Sequence, residues 1–222
     1  MSYFDVTTVC FDYYGTLVDV GEPFLKIKEW LVNFIQRQKP SISSERFYTY
    51  FAKQQSKYQC GPEFLTGMDI LTKSYLNACQ KYGLKPCLEP FESYITYLFT
   101  APMAFADAKE TIRQLKKKYR VGLVTNADNH LLWRSIVNQN FTFHFVVTSE
   151  DARCNKPGKA IFEQILKTVS GDKVLMVGDS LREDVIGASS LGMHTIWLNR
   201  KEGEGSTNFL QVRSIREILN YL

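Results

Sequence analysis

The sequence predicts an α/β protein in which a doubly wound, parallel-sheet (Rossmann-like) core carries an inserted helical domain. Five stretches of strand length are apolar or β-branched, and four of them are nearly continuously apolar, as buried parallel strands are. Amphipathic stretches with helical periodicity separate the later ones, an alternation that is typical of a doubly wound sheet. The first stretch, by contrast, is followed by more than a hundred residues without a convincing strand.

The elements of the core follow from these patterns. Each predicted strand is a short apolar run, and each predicted helix repeats its apolar residues every three or four positions. The predicted strands cover residues 6–11, 121–125, 143–148, 174–177 and 195–198. The predicted core helices cover residues 107–119, 129–139, 159–169 and 182–191. We expect the charged, Gly-rich segment 201–206 to be a surface connection.

Long helical patterns fill the interval after the first strand. Helix breakers separate these patterns, so several helices are expected rather than one. The predicted helices cover residues 24–38, 44–58, 63–82 and 89–99, with breakers at Pro40, Gly61-Pro62, Gly83, Pro86 and Pro90. The simplest organisation is a helical domain at residues 21–100, inserted into a core made of residues 1–20 and 101–222.

Composition and charge narrow the choice of partners. The 222 residues include 27 Lys and Arg against 23 Asp and Glu, giving a formal charge of +4. This excess argues only weakly for nucleic acid and suits a small anionic substrate equally well. No apolar run is long enough to span a bilayer. We therefore expect a small-molecule anionic substrate, no nucleic acid and no membrane, with a monomer and a homodimer both left open.

The cysteines indicate a reducing environment. There are five of them, widely spaced and never arranged as Cys-x-x-Cys, which disfavours both a disulfide framework and a zinc site. The N-terminus also lacks a basic region followed by an apolar stretch. We expect reduced thiols and a cytoplasmic protein.

Chemically capable side chains gather where the predicted strands end. Ligands of open α/β sheets bind at the carboxyl ends of the strands, so these positions carry the most functional information. Any one of these residues could be an ordinary turn, capping or surface residue. Together, however, their three carboxylates would repel one another unless cations such as an ammonium group and Mg²⁺ lay among them. The residues are Asp12, Thr125, Asn126, Lys156, Asp179 and Asp184.

These positions resemble the motifs of the haloacid dehalogenase superfamily. The resemblance spans essentially the whole chain, and the insertion after the first motif looks like a helical cap of the C1 type. Any one motif is weakly specific, whereas four in the family's order are strongly so. The matching segments are Asp12-Tyr13-Tyr14-Gly15-Thr16-Leu17, Thr125-Asn126, Lys156-Pro157, and Gly178-Asp179-Ser180 with Asp184.

The resemblance implies a covalent, two-step hydrolysis of a small phosphorylated metabolite. Asp12 would attack the substrate, and water would hydrolyse the aspartyl intermediate. Thr125 and Asn126 would hold the transferred group, while Lys156 would neutralise nucleophile and substrate. The residues implied to bind Mg²⁺ are Asp12, Asp179, Asp184 and Tyr14, the last through its backbone carbonyl.

Tyr14 departs from the phosphatase pattern. Phosphatases of this superfamily carry a second Asp two residues after the nucleophile, where it acts as general acid and base. The pattern Asp-x-Tyr-Gly-Thr-Leu is instead similar to the L-2-haloacid dehalogenases, which displace halide from carbon without a metal. An (S)-2-haloacid dehalogenase is therefore one alternative function. A ligand-binding or interaction protein with little turnover, left by the loss of the general acid, is another.

Two further comparisons favour the phosphatase. Dehalogenases replace the Gly-Asp of the last motif with Ser and Asn, whereas this chain retains Gly178-Asp179. Dehalogenases also carry a cap arginine in a Trp-Arg-x-x-Gln-x-x-Tyr pattern, and the best gapless match here places Ala52 at that position, with Arg46 nearby in sequence. We therefore predict a Mg²⁺-dependent phosphohydrolase that Tyr14 slows or specialises.

Overall fold

The computed structural model describes residues 3–200 and 208–222 and shows an α/β protein. Within the described residues, four long helices follow the first two strands, and strands alternate with helices after residue 103. The predicted surface connection at residues 201–206 lies outside the described part of the chain. None of the described helices is both long and apolar enough to cross a membrane.

A six-stranded parallel sheet forms the centre of the structure. The strands of the described residues are β1 Thr8–Phe11, β2 Val18–Asp19, β3 Met103–Ala104, β4 Arg120–Thr125, β5 Phe145–Thr148, β6 Val174–Gly178, β7 His194–Leu198 and β8 Gln211–Val212. The main sheet has the order β5-β4-β1-β6-β7-β8, and all of its neighbouring strands are parallel. Strands β2 and β3 pair antiparallel with each other. The predicted fold class is confirmed.

Strand β1 occupies the centre of this sheet, where the winding changes direction. Cys10 of β1 pairs with Gly122 of β4 on one side and with Met176 of β6 on the other. All four residues of β1 and all five of β6 are buried, which explains why these strands are continuously apolar. The carboxyl ends of β1, β4 and β6 therefore meet at one edge, the usual ligand-binding position of such sheets.

Most of the helices lie close to their predicted positions, although the short helix Ser149–Ala152 was not predicted. Those of the described residues are α1 Gly21–Gln38, α2 Ser44–Gln59, α3 Gly67–Tyr82, α4 Leu88–Thr100, α5 Ala108–Leu115, α6 Asn129–Gln139, α7 Ser149–Ala152, α8 Lys159–Leu166 and α9 Gly187–Ser189. Short 3₁₀ segments occur at Gly171–Lys173 and Ile215–Asn220. The helix predicted at 182–191 begins instead as a widened, π-type segment, Leu181–Ile186, which leads into α9.

The chain divides into two compact units. The sheet unit comprises the residues up to Asp19, Met103–Asn129 and the residues from Gln139 onward. The helical unit comprises Val20–Pro102 and His130–Asn138. The helical unit has its own aromatic core, in which the rings of Tyr75 and Phe91 stack with centroids 4.1 Å apart.

Most of α6 belongs to the helical unit, although the sequence pattern had suggested a core helix. One cause is a hydrogen bond from the side-chain amide of Asn138 to the carbonyl oxygen of Thr100, at 3.0 Å. This contact joins residues 38 positions apart, so helical periodicity alone could not reveal it.

Candidate active site

The turn after β1 fixes Asp12 at the carboxyl edge of the sheet. The backbone N–H of Asp12 donates to the carbonyl oxygen of Val177 at 2.9 Å, so pairing with β6 continues through this residue. Beyond Asp12 the chain reverses sharply, because the N–H groups of Leu17 and Val18 both donate to the carbonyl oxygen of Tyr13. Asp12 is buried, and its position is set by backbone hydrogen bonds on both sides.

Gly15 brings this turn into contact with the end of β6. Its φ of +86° lies in the left-handed region that favours glycine. A β-carbon at this position would lie only 2.6 Å from Oδ2 of Asp179. The adjacent Thr16 hydroxyl donates to Oδ1 of Asp179 at 3.0 Å and accepts from the backbone N–H of Asp179 at 3.1 Å. The turn and the strand end are thus bonded to each other in both directions.

A buried ammonium group, that of Lys156, ties the strand ends together. Its Nζ donates to Oδ1 of Asp12 at 2.7 Å, to Oδ1 of Asp184 at 2.5 Å and to the carbonyl oxygen of Val124 at 2.9 Å. The Lys156 side chain is only 2% exposed. Burial works against the charged form, but the carboxylates of Asp12 and Asp184 outweigh it and hold the pKa of Lys156 above its usual value.

Asp184 folds back from the π-type segment onto the end of β6. Its side chain is almost fully buried, and Oδ2 accepts a hydrogen bond from the backbone N–H of Ser180 at 3.0 Å. A β-carbon on Gly178 would collide with the Asp184 carboxyl group. The glycine at the end of β6 therefore makes room for this carboxylate.

Asp12, Asp179 and Asp184 form one cluster of carboxylates. One oxygen from each lies within 4.8 Å of the others. Burial and the negative charge of Asp12 raise the pKa of Asp184 to about 7. Partial desolvation and the same charge raise the pKa of Asp179, which is exposed to solvent, to about 6. With all groups ionised, the three carboxylates and the Lys156 ammonium leave a net charge of −2. The cluster therefore favours an additional cation, and carboxylate oxygens are ligands that Mg²⁺ prefers.

Thr125, the last residue of β4, presents a buried hydroxyl group at the same edge. The residue is 1% exposed, and its Oγ1 has no hydrogen-bond partner among the described residues. A buried hydroxyl without a partner costs free energy unless a bound molecule supplies the bond. Thr125 is therefore suited to hold an oxygen atom of a ligand.

Asn126 is bonded to protein groups instead. Its Oδ1 accepts from the backbone N–H of Lys156 at 2.7 Å, and its Nδ2 donates to Oε2 of Glu183 at 3.1 Å and to the Lys156 carbonyl oxygen at 3.3 Å. The sequence analysis did not identify Glu183. The Ser180-x-x-Glu183 spacing does signal a helix start, and Ser180 Oγ accepts from the Glu183 N–H at 3.2 Å. That signal cannot reveal a bond to a residue 57 positions away.

Tyr14 places a neutral phenol where a second carboxylate would stand in a phosphatase motif. Its ring packs edge-on against Tyr13, with centroids 5.0 Å apart. Burial, the adjacent Tyr13 and the charges of Asp128 and Asp12 raise the pKa of Tyr14 above its usual value. The phenol is therefore protonated at neutral pH and can donate a hydrogen bond, but it is a poor base.

Taken together, these groups can support nucleophilic attack by a carboxylate. Lys156 holds the Asp12 carboxylate in place, and carboxylates are nucleophiles. The Thr125 hydroxyl and a cation at the carboxylate cluster would bind an anionic group next to Asp12. The structure brings the residues that the motifs singled out to one edge of the sheet, where Thr16 and Glu183 form further hydrogen bonds.

Comparison with known proteins identifies related hydrolases. A family model described as haloacid dehalogenase-like hydrolase matches residues 6–192. The glyceraldehyde 3-phosphate phosphatase of Pyrococcus furiosus is 27% identical over 199 residues, which covers 86% of this chain and 80% of that protein.

Solved structures share the fold across nearly the whole chain. A dehalogenase in an intermediate complex superposes with a TM-score of 0.78 at 19% identity, covering 99% of this chain and 98% of the other. The magnesium-bound HAD-hydrolase YfnB of Bacillus subtilis superposes with a TM-score of 0.75 at 19% identity, covering 97% of each chain. At these identities the superpositions support the fold, and the family model supports the class of hydrolase.

Removing the buried ammonium should destabilise the protein. In Lys156→Met, Asp12 and Asp184 remain buried without their counter-charge, so we expect the free energy of unfolding to fall by about 3–5 kcal/mol. The measurement is urea denaturation at pH 8 in EDTA, followed by circular dichroism. The control is Lys159→Met, an exposed lysine three residues away, which should change the value by less than about 0.5 kcal/mol. Equal unfolding midpoints for the two variants would contradict this account of the cluster.

Proposed function

The chain belongs to the haloacid dehalogenase-like hydrolases, and from this we propose that it is a Mg²⁺-dependent phosphohydrolase acting on a small phosphorylated metabolite through an aspartyl-phosphate intermediate. The observation that carries the proposal is the cluster of Asp12, Asp179 and Asp184, whose negative charge exceeds that of the buried Lys156 ammonium, which contacts Asp12 and Asp184. A metal-independent reaction would not need this excess.

The donor set fits Mg²⁺. Three carboxylates offer oxygen atoms close to one another, and the backbone carbonyl of Tyr14 is a further oxygen at the turn after Asp12. Asp12, Asp179, Asp184 and this carbonyl would hold the ion. When bound, Mg²⁺ supplies positive charge that stabilises the transferring phosphoryl group.

Asp12 is the nucleophile in this proposal. Its carboxylate attacks phosphorus, the bond from phosphorus to the ester oxygen breaks, and the leaving oxygen takes up a proton from solvent to form the alcohol. Water then attacks the phosphorus of the aspartyl-phosphate, the bond from phosphorus to the Asp12 oxygen breaks, and the water gives up a proton to solvent, which restores the carboxylate and releases inorganic phosphate. Lys156 contacts the carboxylate directly and lowers the repulsion between this anion and an anionic substrate.

Thr125 and Asn126 have different tasks. The Thr125 hydroxyl, for which the described residues offer no hydrogen-bond partner, donates to an oxygen atom of the phosphoryl group. The side-chain amide of Asn126 bonds both the backbone N–H and the carbonyl oxygen of Lys156. It therefore acts chiefly by holding Lys156 in place. The motif resemblance had assigned both residues to the transferred group.

The relatives and the charge support the substrate class. The Pyrococcus furiosus relative is named a glyceraldehyde 3-phosphate phosphatase, and a formal charge of +4 suits a small phosphate ester. All five cysteines are free thiols, which supports a cytoplasmic location. Neither nucleic acid nor a membrane is part of the proposal, and a monomer or a homodimer would serve it equally.

A 2-haloacid dehalogenase is the second candidate, and Tyr14 is the observation that favours it. The structural similarity to dehalogenases agrees with it but shows the fold alone. Against it stand the carboxylates of Asp179 and Asp184, which a metal-independent displacement does not use. Ala52, which the motif comparison places at the halide-binding arginine, is exposed on α2. A third candidate, a binding protein with little turnover, is separated from both by measuring product release.

The first test compares the two reactions with and without metal. We expect release of phosphate from p-nitrophenyl phosphate in Mg²⁺, falling at least about a hundredfold in excess EDTA because the metal stabilises transferring charge. Chloride release from 2-chloropropionate should be absent under both conditions. Chloride release that persists in EDTA would establish the dehalogenase instead, and no release of either product would favour the binding protein.

The second test concerns the nucleophile. Asp12→Asn should reduce phosphate release at least about a thousandfold, because an amide is a far poorer nucleophile than a carboxylate. The matched control is Asp172→Asn, an exposed residue before β6 at the opposite edge of the sheet; its rate should stay within about twofold of the parent. If Asp12→Asn turned over within about tenfold of the parent, Asp12 would not be the nucleophile.

The third test concerns Tyr14. A protonated phenol cannot accept a proton from attacking water, so breakdown of the aspartyl-phosphate should be slow. On p-nitrophenyl phosphate, whose leaving group needs no proton, we expect a burst of about one equivalent followed by slow turnover. Tyr14→Asp should speed the slow phase by about 10² to 10⁴, the usual contribution of general acid–base catalysis.

Tyr14→Phe provides the control, because it changes the polar atom while keeping the ring. Its slow phase should match that of the parent if the phenol takes no part as a base. Fast, burst-free hydrolysis of alkyl phosphates by the parent would show that another residue performs acid–base catalysis.

A further inference from the structure

Arg200, two residues beyond β7, forms a half-buried contact with the turn that carries Asp12. One guanidinium nitrogen donates to Oδ2 of Asp107 at 3.2 Å, and the other donates both to Oδ1 of Asp107 and to the carbonyl oxygen of Thr16, each at 3.1 Å. The guanidinium also lies over the ring of Phe105, 3.9 Å from its centroid. The sequence motifs include neither Arg200 nor Asp107.

Asp107 fixes the position of Arg200. Its Oδ2 also accepts from the hydroxyl of Ser214 at 2.7 Å and from the backbone N–H of Ile215 at 2.9 Å. Burial opposes ionisation of Asp107, but the bonds from Arg200 and Ser214 outweigh it and hold the pKa of Asp107 below its usual value. The carboxylate therefore anchors the guanidinium to two separate parts of the sheet unit.

From Arg200 the contacts lead through Thr16 to Asp179. Arg200 holds the Thr16 carbonyl, and the Thr16 hydroxyl exchanges hydrogen bonds with both the side chain and the backbone of Asp179. Trp197 of β7 donates from Nε1 to the Asp179 carbonyl oxygen at 2.9 Å. Unlike Asp12 and Asp184, which bond directly to Lys156, Asp179 has its carboxylate held by a hydroxyl group on the turn.

We propose that Arg200 is a positioning residue for metal binding, which sets the carboxylate of Asp179 by holding Thr16. This inference rests on the proposed function, since it requires a Mg²⁺ site at the carboxylate cluster. A guanidinium has donors spaced to bridge both oxygens of Asp107 and reach the Thr16 carbonyl together. A lysine ammonium carries a similar charge but cannot span the three acceptors.

The test is calorimetric titration of MgCl₂ into the purified chain, which measures metal affinity without turnover. Arg200→Lys should raise the Mg²⁺ dissociation constant about 10- to 100-fold, the usual effect of losing a group that orients a metal ligand. The matched control is Arg113→Lys, because Arg113 makes the same two-pronged contact with a carboxylate, that of Glu110, on the exposed face of α5. Its dissociation constant should equal that of the parent.

A double-mutant cycle separates positioning from loss of stability. Thr16→Val removes the hydroxyl that bonds Asp179, whereas Thr16→Ser keeps it and should preserve Mg²⁺ binding. If Arg200 acts through Thr16, adding Arg200→Lys to Thr16→Val should weaken binding little further. Urea denaturation of each variant shows that the comparison is between folded proteins.

The outcomes distinguish this inference from the function on which it rests. A parent that binds no Mg²⁺ overturns the proposed metal site and this inference with it. A parent that binds Mg²⁺, with Arg200→Lys binding equally well, leaves the proposed function standing and overturns the role of Arg200. Additive losses in the double variant would overturn the route through Thr16.

Discussion

The buried ammonium of Lys156 is the interaction on which the carboxyl edge of the sheet depends. Burying an ammonium group costs several kcal/mol unless close partners compensate it. Here the partners come from three separate places: Asp12 after β1, the Val124 carbonyl in β4, and Asp184 after β6. The parallel pairing of β1 with both neighbouring strands brings these places together. The fold thus forms the site by placing three hydrogen-bond acceptors around the buried Lys156 ammonium.

The rest of the site carries more negative than positive charge. The single positive charge of Lys156 balances only one of the three clustered carboxylates, so the cluster keeps an excess of negative charge. Glycine backbone makes the crowding possible, because side chains at Gly15 and Gly178 would collide with Asp179 and Asp184. Structures retain such repulsion where function needs it. A divalent cation bound at this cluster would reduce the repulsion among its carboxylates.

The sequence predicted what depends on local pattern and missed what depends on long-range pairing. Apolar runs located the five predicted strands of the sheet, and the strand ends located the clustered side chains. The two-residue strands β2, β3 and β8 were missed because two residues carry no periodicity. The bond from Arg200 to Asp107 joins residues 93 positions apart, and neither residue looks unusual in its own segment. Such partners follow from the topology of the sheet and not from a motif.

The repulsion among the carboxylates also favours a neutral side chain, such as that of Tyr14, at the position two residues after Asp12. An aspartate at this position would add a fourth carboxylate beside a cluster that already carries a net charge of −2, and each further like charge raises the cost of keeping the others ionised. A phenol adds no charge, and its ring gains an edge-on contact with Tyr13. The same exchange removes the group that would activate water, because a protonated phenol is a poor base. In the proposed mechanism, Tyr14 would therefore both lower the repulsion among the carboxylates and slow the breakdown of the aspartyl-phosphate.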